Sequence, residues 1–138
     1  MNHFKPGFFI KLPNEVLAYT VLGNSKNPDI KVTPLTLGVY SYLLYYKNND
    51  KDNPFHGKAW VSIDRLAVEM SVSRTTVKKH INILENVGLI TVGKYQKKNV
   101  YIFREPKSPE QLEKEYPEEF KTYRKKLQEA AERYAENE

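Results

Sequence analysis

The chain has 138 residues, carries 22 Lys/Arg against 17 Asp/Glu for a net charge of +5, and contains no cysteine. That length holds one core without covalent staples, and the missing cysteines exclude a disulfide framework, a thiolate zinc site and a cysteine nucleophile. No apolar run reaches the roughly 18 residues a bilayer span requires, and Lys5, Pro6, Gly7 and Lys11 interrupt the apolar start in a way foreign to a signal peptide, so a soluble cytoplasmic protein with no membrane partner is expected.

Charge is unevenly spread. Residues 1–104 carry 15 Lys/Arg against 7 Asp/Glu, whereas 105–138 carry 7 against 10. A basic body is rewarded by a phosphate backbone through counterion release, and an acidic tail is poor DNA-binding surface.

Residues 1–33 read as an N-terminal arm. Phe8-Phe9-Ile10-Lys11-Leu12 suits a short extended segment, Pro13 and Asn14 open a turn or short helix, and Gly23 to Pro28 is a polar loop. The arm is too aromatic to stay solvated and is expected to dock on the body. Thr33-Pro34 then supplies an N-cap with proline at the first helical position, followed by Leu35, Val39, Tyr40, Leu43, Leu44 and Tyr46 at helical spacing up to Lys47. Among Tyr40, Tyr42, Tyr45 and Tyr46, this spacing favours core packing over a base-stacking platform. Asn48 to Lys58 is a loop rich in Asn, Asp, Pro and Gly, leading to a short strand Ala59-Trp60-Val61 in which Trp60 reads as a core anchor.

Ser62 caps the next helix, with Asp64 in its first turn and Ile63, Leu66, Ala67 and Met70 on its apolar face. Ser71-Val72-Ser73 is a tight turn, Ser73 caps a third helix reaching about Asn86, and Gly88 occupies a left-handed terminus. Leu89 to Val92 and Val100 to Phe103 bracket the basic stretch Gly93 to Asn99 as two strands bracket a hairpin tip.

In the third helix, Val77, Ile81 and Leu84 fall on one side, while Thr75, Lys79, Asn82 and Asn86 lie opposite with Lys78 on the flank. Lysine reaches phosphates or guanine edges, asparagine pairs with adenine through two hydrogen bonds, and a threonine methyl meets a thymine methyl. The expected DNA-reading set is therefore Ser73, Arg74, Thr75, Lys78, Lys79 and Asn82. On the hairpin, Lys94, Tyr95, Gln96, Lys97 and Lys98 are expected to position the protein on phosphates or in the minor groove without reading sequence. A solvated helix face and a turn made soluble by lysines are the competing explanations, and the helix–turn–helix–hairpin order favours DNA.

Ser62-Ile63-Asp64-Arg65-Leu66-Ala67, Val72-Ser73-Arg74-Thr75-Thr76-Val77 and Leu84-Glu85-Asn86-Val87-Gly88-Leu89-Ile90 resemble the winged helix-turn-helix of bacterial regulators and of plasmid and phage replication initiators. The resemblance covers residues 34–104. It implies a mainly α fold with a small β-hairpin wing, an arm at 1–33 and a C-terminal helical tail at 105–138. The opening Phe8 to Leu17 is similar to the start of such initiators. Ser71 departs from the family pattern, which places glycine in that left-handed turn.

In the tail, Ser108-Pro109 and Tyr116-Pro117 start helices, and Leu112, Tyr116, Phe120, Tyr123, Leu127, Ala131 and Tyr134 recur every three or four residues. This stripe either folds back on its own domain or meets a second copy. A homodimer held by Leu112, Tyr116, Phe120, Tyr123, Leu127 and Tyr134 is expected, presenting two domains to two half-sites.

His3, His56 and His80 are too scattered for a metal, and His80 reads as packed beside Val77 and Leu84. No triad, phosphate-cradling glycine loop or carboxylate pair appears. Neither enzyme activity nor a cofactor or metal is expected. The leading reading is a sequence-specific double-stranded DNA-binding protein that regulates transcription or initiates or organises replication on a plasmid or phage, working with other proteins of those processes. A chain complete at this length favours a regulator, and a segment of a longer chain an initiator. The alternative is a winged-helix protein-interaction module that binds no nucleic acid.

Overall fold

Thr33 and Pro34 set where the first long helix begins. Proline has its φ fixed near the helical value and no N–H to orphan; the Thr33 N–H donates to Thr36 Oγ1 at 3.0 Å, and helix α2 runs Pro34–Tyr45. The computed structural model describes residues 10–136, so His3, Phe8 and Phe9 lie outside the described residues, and Ile10 to Leu12 form no regular element. Ahead of α2 stand α1 (Asn14–Leu17) and two 3-10 segments, Ala18–Asn24 and Pro28–Ile30. Behind it come β1 (Lys58–Ala59), α3 (Ile63–Met70), α4 (Arg74–Asn86), β2 (Ile90–Tyr95), β3 (Lys98–Phe103), α5 (Pro109–Glu115) and α6 (Pro117–Glu136). The fold is mainly helical with a three-stranded antiparallel sheet in the order β1-β3-β2, a winged helix.

The α3–α4 turn follows from local chemistry. Ser62 Oγ accepts from Arg65 N at 3.0 Å to start α3, and Ser73 Oγ accepts from Thr76 N at 3.1 Å to start α4. Between them Ser71 takes the left-handed conformation, φ 57° and ψ 42°, and Val72 N returns to Ala67 O at 3.0 Å. An L-residue pays about 1 kcal/mol for this geometry, which glycine would adopt freely. At the far end of α4, Gly88 has φ 81°, and Leu89 N reaches back to Leu84 O, closing the helix and aiming the chain into β2.

The wing differs from its expected outline. Its strands continue to Tyr95 and resume at Lys98, which pair with each other, so the tip is only Gln96-Lys97, with φ 49° and 67°. Positive φ at both central residues is the turn geometry that matches strand twist. Gly93 belongs to β2, opposite Val100. The strand expected at Ala59 to Val61 is instead Lys58–Ala59, paired to Ile102 and Tyr101 of β3.

One core joins arm, winged region and tail. Tyr40 and Leu43 of α2, Leu66 of α3, Val77, Ile81 and Leu84 of α4, and Tyr101 of β3 meet Val16, Tyr19, Leu22 and Val32 of the arm and Leu112 and Phe120 of the tail. Tyr40 lies edge-on to Phe103 at 5.8 Å, in keeping with its expected place in the core. Tyr19 Oη accepts from Lys107 N at 2.8 Å, joining the arm to the chain beyond β3, and within the arm a Cβ on Gly23 would stand 2.8 Å from Val32 O, so only glycine permits that approach. The dimer assignment is corrected here for Leu112 and Phe120, which are buried in the chain's own core, and for Tyr116, which packs against it. The stripe is divided by Pro117, which starts α6 along the Ala18–Asn24 segment, with Lys126 Nζ donating to Asn24 Oδ1 at 2.8 Å. Among the described residues no helix is long and apolar enough to cross a membrane.

Candidate nucleic-acid interface

Helix α4 is held from beneath by Val77, His80, Ile81, Ile83 and Leu84, all buried, which leaves Arg74, Thr75, Lys78, Lys79 and Asn82 on its outer side. His80 is a core residue, as its position beside Val77 and Leu84 suggested. Its Nδ1 shares a 2.8 Å hydrogen bond with Thr36 Oγ1 of α2, and burial, then the neighbouring Lys79 charge, lowers its pKa from the ordinary value. A neutral imidazole inside the helix keeps the positive charge on the outer face. Glu85 Oε2 accepts from Val92 N at 3.2 Å, tying α4 to the wing it must work with.

The expected contact residues fall on two flanks of α4. On the wing side, a groove of about 360 Å³ is lined by Trp60, Asp64, Arg74, Lys94, Lys97 and Lys98. On the arm side, a hollow of about 330 Å³ is lined by Pro28, Asp29, Thr75, Lys78, Lys79 and Asn82. Asn86 is already engaged, donating from Nδ2 to Asp29 O at 3.0 Å, so the arm marks where the free polar face of the helix ends. Ser73 is exposed, but its hydroxyl accepts from Thr76 N and also meets Thr76 Oγ1 at 2.9 Å, which gives it a capping role first. Arg74 Nε pairs with Asp64 Oδ1 at 2.7 Å across the helix-turn-helix. Both side chains are well exposed, so the pair is weak and exchanges readily for a phosphate. Lys94 donates to Asn99 Oδ1, whereas Tyr95, Gln96, Lys97 and Lys98 stand exposed at the tip.

A basic helix face above a left-handed turn, followed by a basic hairpin, is the arrangement of a DNA reader. Residues 33–90 match the helix-turn-helix domain family. The matched stretch spans α2 through the start of β2, and the match supports DNA binding. Among curated proteins and among solved structures, none matches the chain.

Sequence reasoning misses the surface beside the helix-turn-helix domain. Trp60, expected in the core, is 41% exposed on the flank of the wing. It packs against Phe55 at 5.3 Å and Tyr95 at 6.1 Å. The physical cause is alternation: Ala59 and Val61 both face the core, which turns Trp60 between them outward, and β1 itself ends at Ala59, two residues before the expected end. A phenylalanine stranded in the polar loop at Phe55 is the available signal. Among the described residues no group of three or more His, Asp or Glu side chains is placed to hold a metal.

Proposed function

We propose that this protein binds double-stranded DNA sequence-specifically, with α4 in the major groove and the wing along the backbone, and that it regulates transcription or organises replication on a plasmid or phage genome in the cytoplasm. The observation that carries this reading is the outer face of α4, where Thr75, Lys78, Lys79 and Asn82 stand over a fully buried apolar face. Short polar and cationic groups on a rigid helix are the chemistry of base-edge and phosphate contact. Such binding calls for no catalytic group and no cofactor.

The part of α6 from Tyr123 onward is proposed as the contact between two copies. Tyr123 and Leu127 continue the apolar stripe beyond the chain's own core and are 37% and 51% exposed. Two copies joined there would present two α4 helices to half-sites on one face of the duplex.

Selection of genomic fragments by the purified protein, followed by affinity measurements across salt, tests the reading. Enriched fragments whose affinity falls steeply with salt support it; no enrichment together with salt-independent binding overturns it. Lys78→Ala with Lys79→Ala is expected to weaken all sites and to flatten the log–log salt slope by about 2, one for each phosphate that the variant no longer neutralises. Asn82→Ala is expected to relax preference at one base pair, at a cost of about 1–3 kcal/mol on the preferred sequence.

A further inference from the structure

We propose that the aromatic flank of the wing, beside its tip, is a stacking site for an unpaired base of DNA, placed to receive a strand that leaves the duplex lying on α4. The proposal rests on the duplex-binding reading only in where the strand comes from. Phe55, Trp60 and Tyr95 form a cluster with ring centroids 4.9 Å apart for Phe55–Tyr95, 5.3 Å for Phe55–Trp60 and 6.1 Å for Trp60–Tyr95. Their interplanar angles of 80°, 52° and 74° mean that no two of these rings stack in parallel. Trp60 and Tyr95 are 41% and 44% exposed. Tyr19, Tyr40 and Tyr101 are fully buried, so the winged domain has an interior for aromatics and keeps Trp60 and Tyr95 outside it.

Charge selects the partner. Lys98 Nζ stands 5.5 Å from the Trp60 ring centroid, and Lys94 and Lys97 line the same groove, where the single carboxylate, Asp64, is matched by Arg74. Three lysines beside exposed aromatic rings fit a polyanion that carries flat bases, the combination used to hold single strands. On its other side Trp60 borders a hollow of about 380 Å³ with Tyr46, Asn48, Asn53, Phe55 and Lys58, which offers room and amide groups for a base edge. Arg74 belongs to both α4 and the wing groove, so the path from duplex to stacking site is continuous.

Trp60 is the chain's single tryptophan, and its fluorescence therefore reports on this site alone. The full chain is titrated with a short oligothymidylate, with the selected duplex, and with that duplex carrying a thymidylate extension. Saturable quenching by the oligothymidylate and by the extended duplex is expected, with tighter binding of the extended form. In anisotropy measurements with labelled DNA, Trp60→Leu is expected to lower the ratio of single-strand to duplex affinity by about 5- to 100-fold, and Trp60→Phe to restore much of it. Absence of saturable quenching in the native protein overturns the proposal without reliance on any variant, and so does an unchanged affinity ratio in a folded Trp60→Leu protein. Oligouridylate binding tighter than oligothymidylate would overturn the assignment to DNA. Quenching by the oligothymidylate in a protein that binds no duplex leaves the stacking site standing and removes the duplex reading; duplex binding with no quenching by either the oligothymidylate or the extended duplex does the reverse.

Discussion

Helices α4 and α6 carry the same kind of apolar periodicity and use it in opposite ways. In α4 every stripe position is buried, from Val77 to Leu84. In α6 only Phe120 is buried; Tyr123 lies at its margin, and Leu127 and Tyr134 are well exposed. The difference lies in what each helix crosses. Helix α4 is packed against α2, α3, β2 and the Pro28–Ile30 segment, whereas α6 meets the Ala18–Asn24 segment and α5 and then extends past them. A periodic stripe thus identifies the face that gains from burial, and the surrounding chain decides whether the gain is realised within one molecule.

The largest expected effect is a contrast in stability. Leu84→Ala should cost about 2–5 kcal/mol, because it opens a cavity in a site closed on all sides, while Leu127→Ala should stay within about 0.5 kcal/mol in dilute protein. Denaturant unfolding of both variants measures this, and equal losses would break the comparison. Next, Tyr123→Glu with Leu127→Glu should convert a dimer to a monomer in sedimentation experiments while leaving the dilute unfolding midpoint in place. A native chain that is monomeric at every concentration would remove the proposed role of α6.

Smaller effects sharpen the α4 side. Because the folded pKa of His80 is lowered, chiefly by burial, from its ordinary value of 6.5, the unfolded chain binds that proton first. The contribution of His80 to stability is therefore complete above about pH 6.5 and is lost as pH falls through the lower folded value. Unfolding followed between neutral and acidic pH should show this decline, and His80→Asn, which keeps a hydrogen-bonding group near Thr36, should lessen it. Last, Ser71→Gly should raise stability by about 1 kcal/mol by relieving the left-handed strain ahead of α4. A drop in the thermal midpoint would mean that the serine has a compensating interaction.

Much of the helical framework is readable because its signals are local. Ser62, Ser73 and Ser108 each cap the helix that follows them, with the hydroxyl accepting from an N–H three residues on, and Thr33-Pro34 and Tyr116-Pro117 start helices where expected. The exposed face of α4 is equally legible, since only the helical repeat is needed to find it. The true wing tip escapes a sequence reading because Gln96 and Lys97 adopt positive φ without the glycine or asparagine that advertises such a turn. Trp60 escapes it because a large ring is ordinarily buried, and its orientation depends on which face of the Ala59 to Val61 stretch the core covers, which is the face of Ala59 and Val61. The separation of Arg74 from Thr75, Lys78, Lys79 and Asn82 into two flanks is not legible either, because it depends on the Pro28–Ile30 segment docking beside α4.

The amino-acid order by itself determined where the main helices start, which of their faces are apolar, and that a basic helix and a basic hairpin follow a tight turn. These depend on hydrogen bonds and side-chain spacing within a few residues of chain. Tertiary structure alone decided that arm and tail share the central core, that the far part of the tail stripe stays outside it, and that Trp60 faces outward beside the lysines of the wing. Burial is settled by contacts between segments far apart in sequence, and no local pattern records which segments will meet.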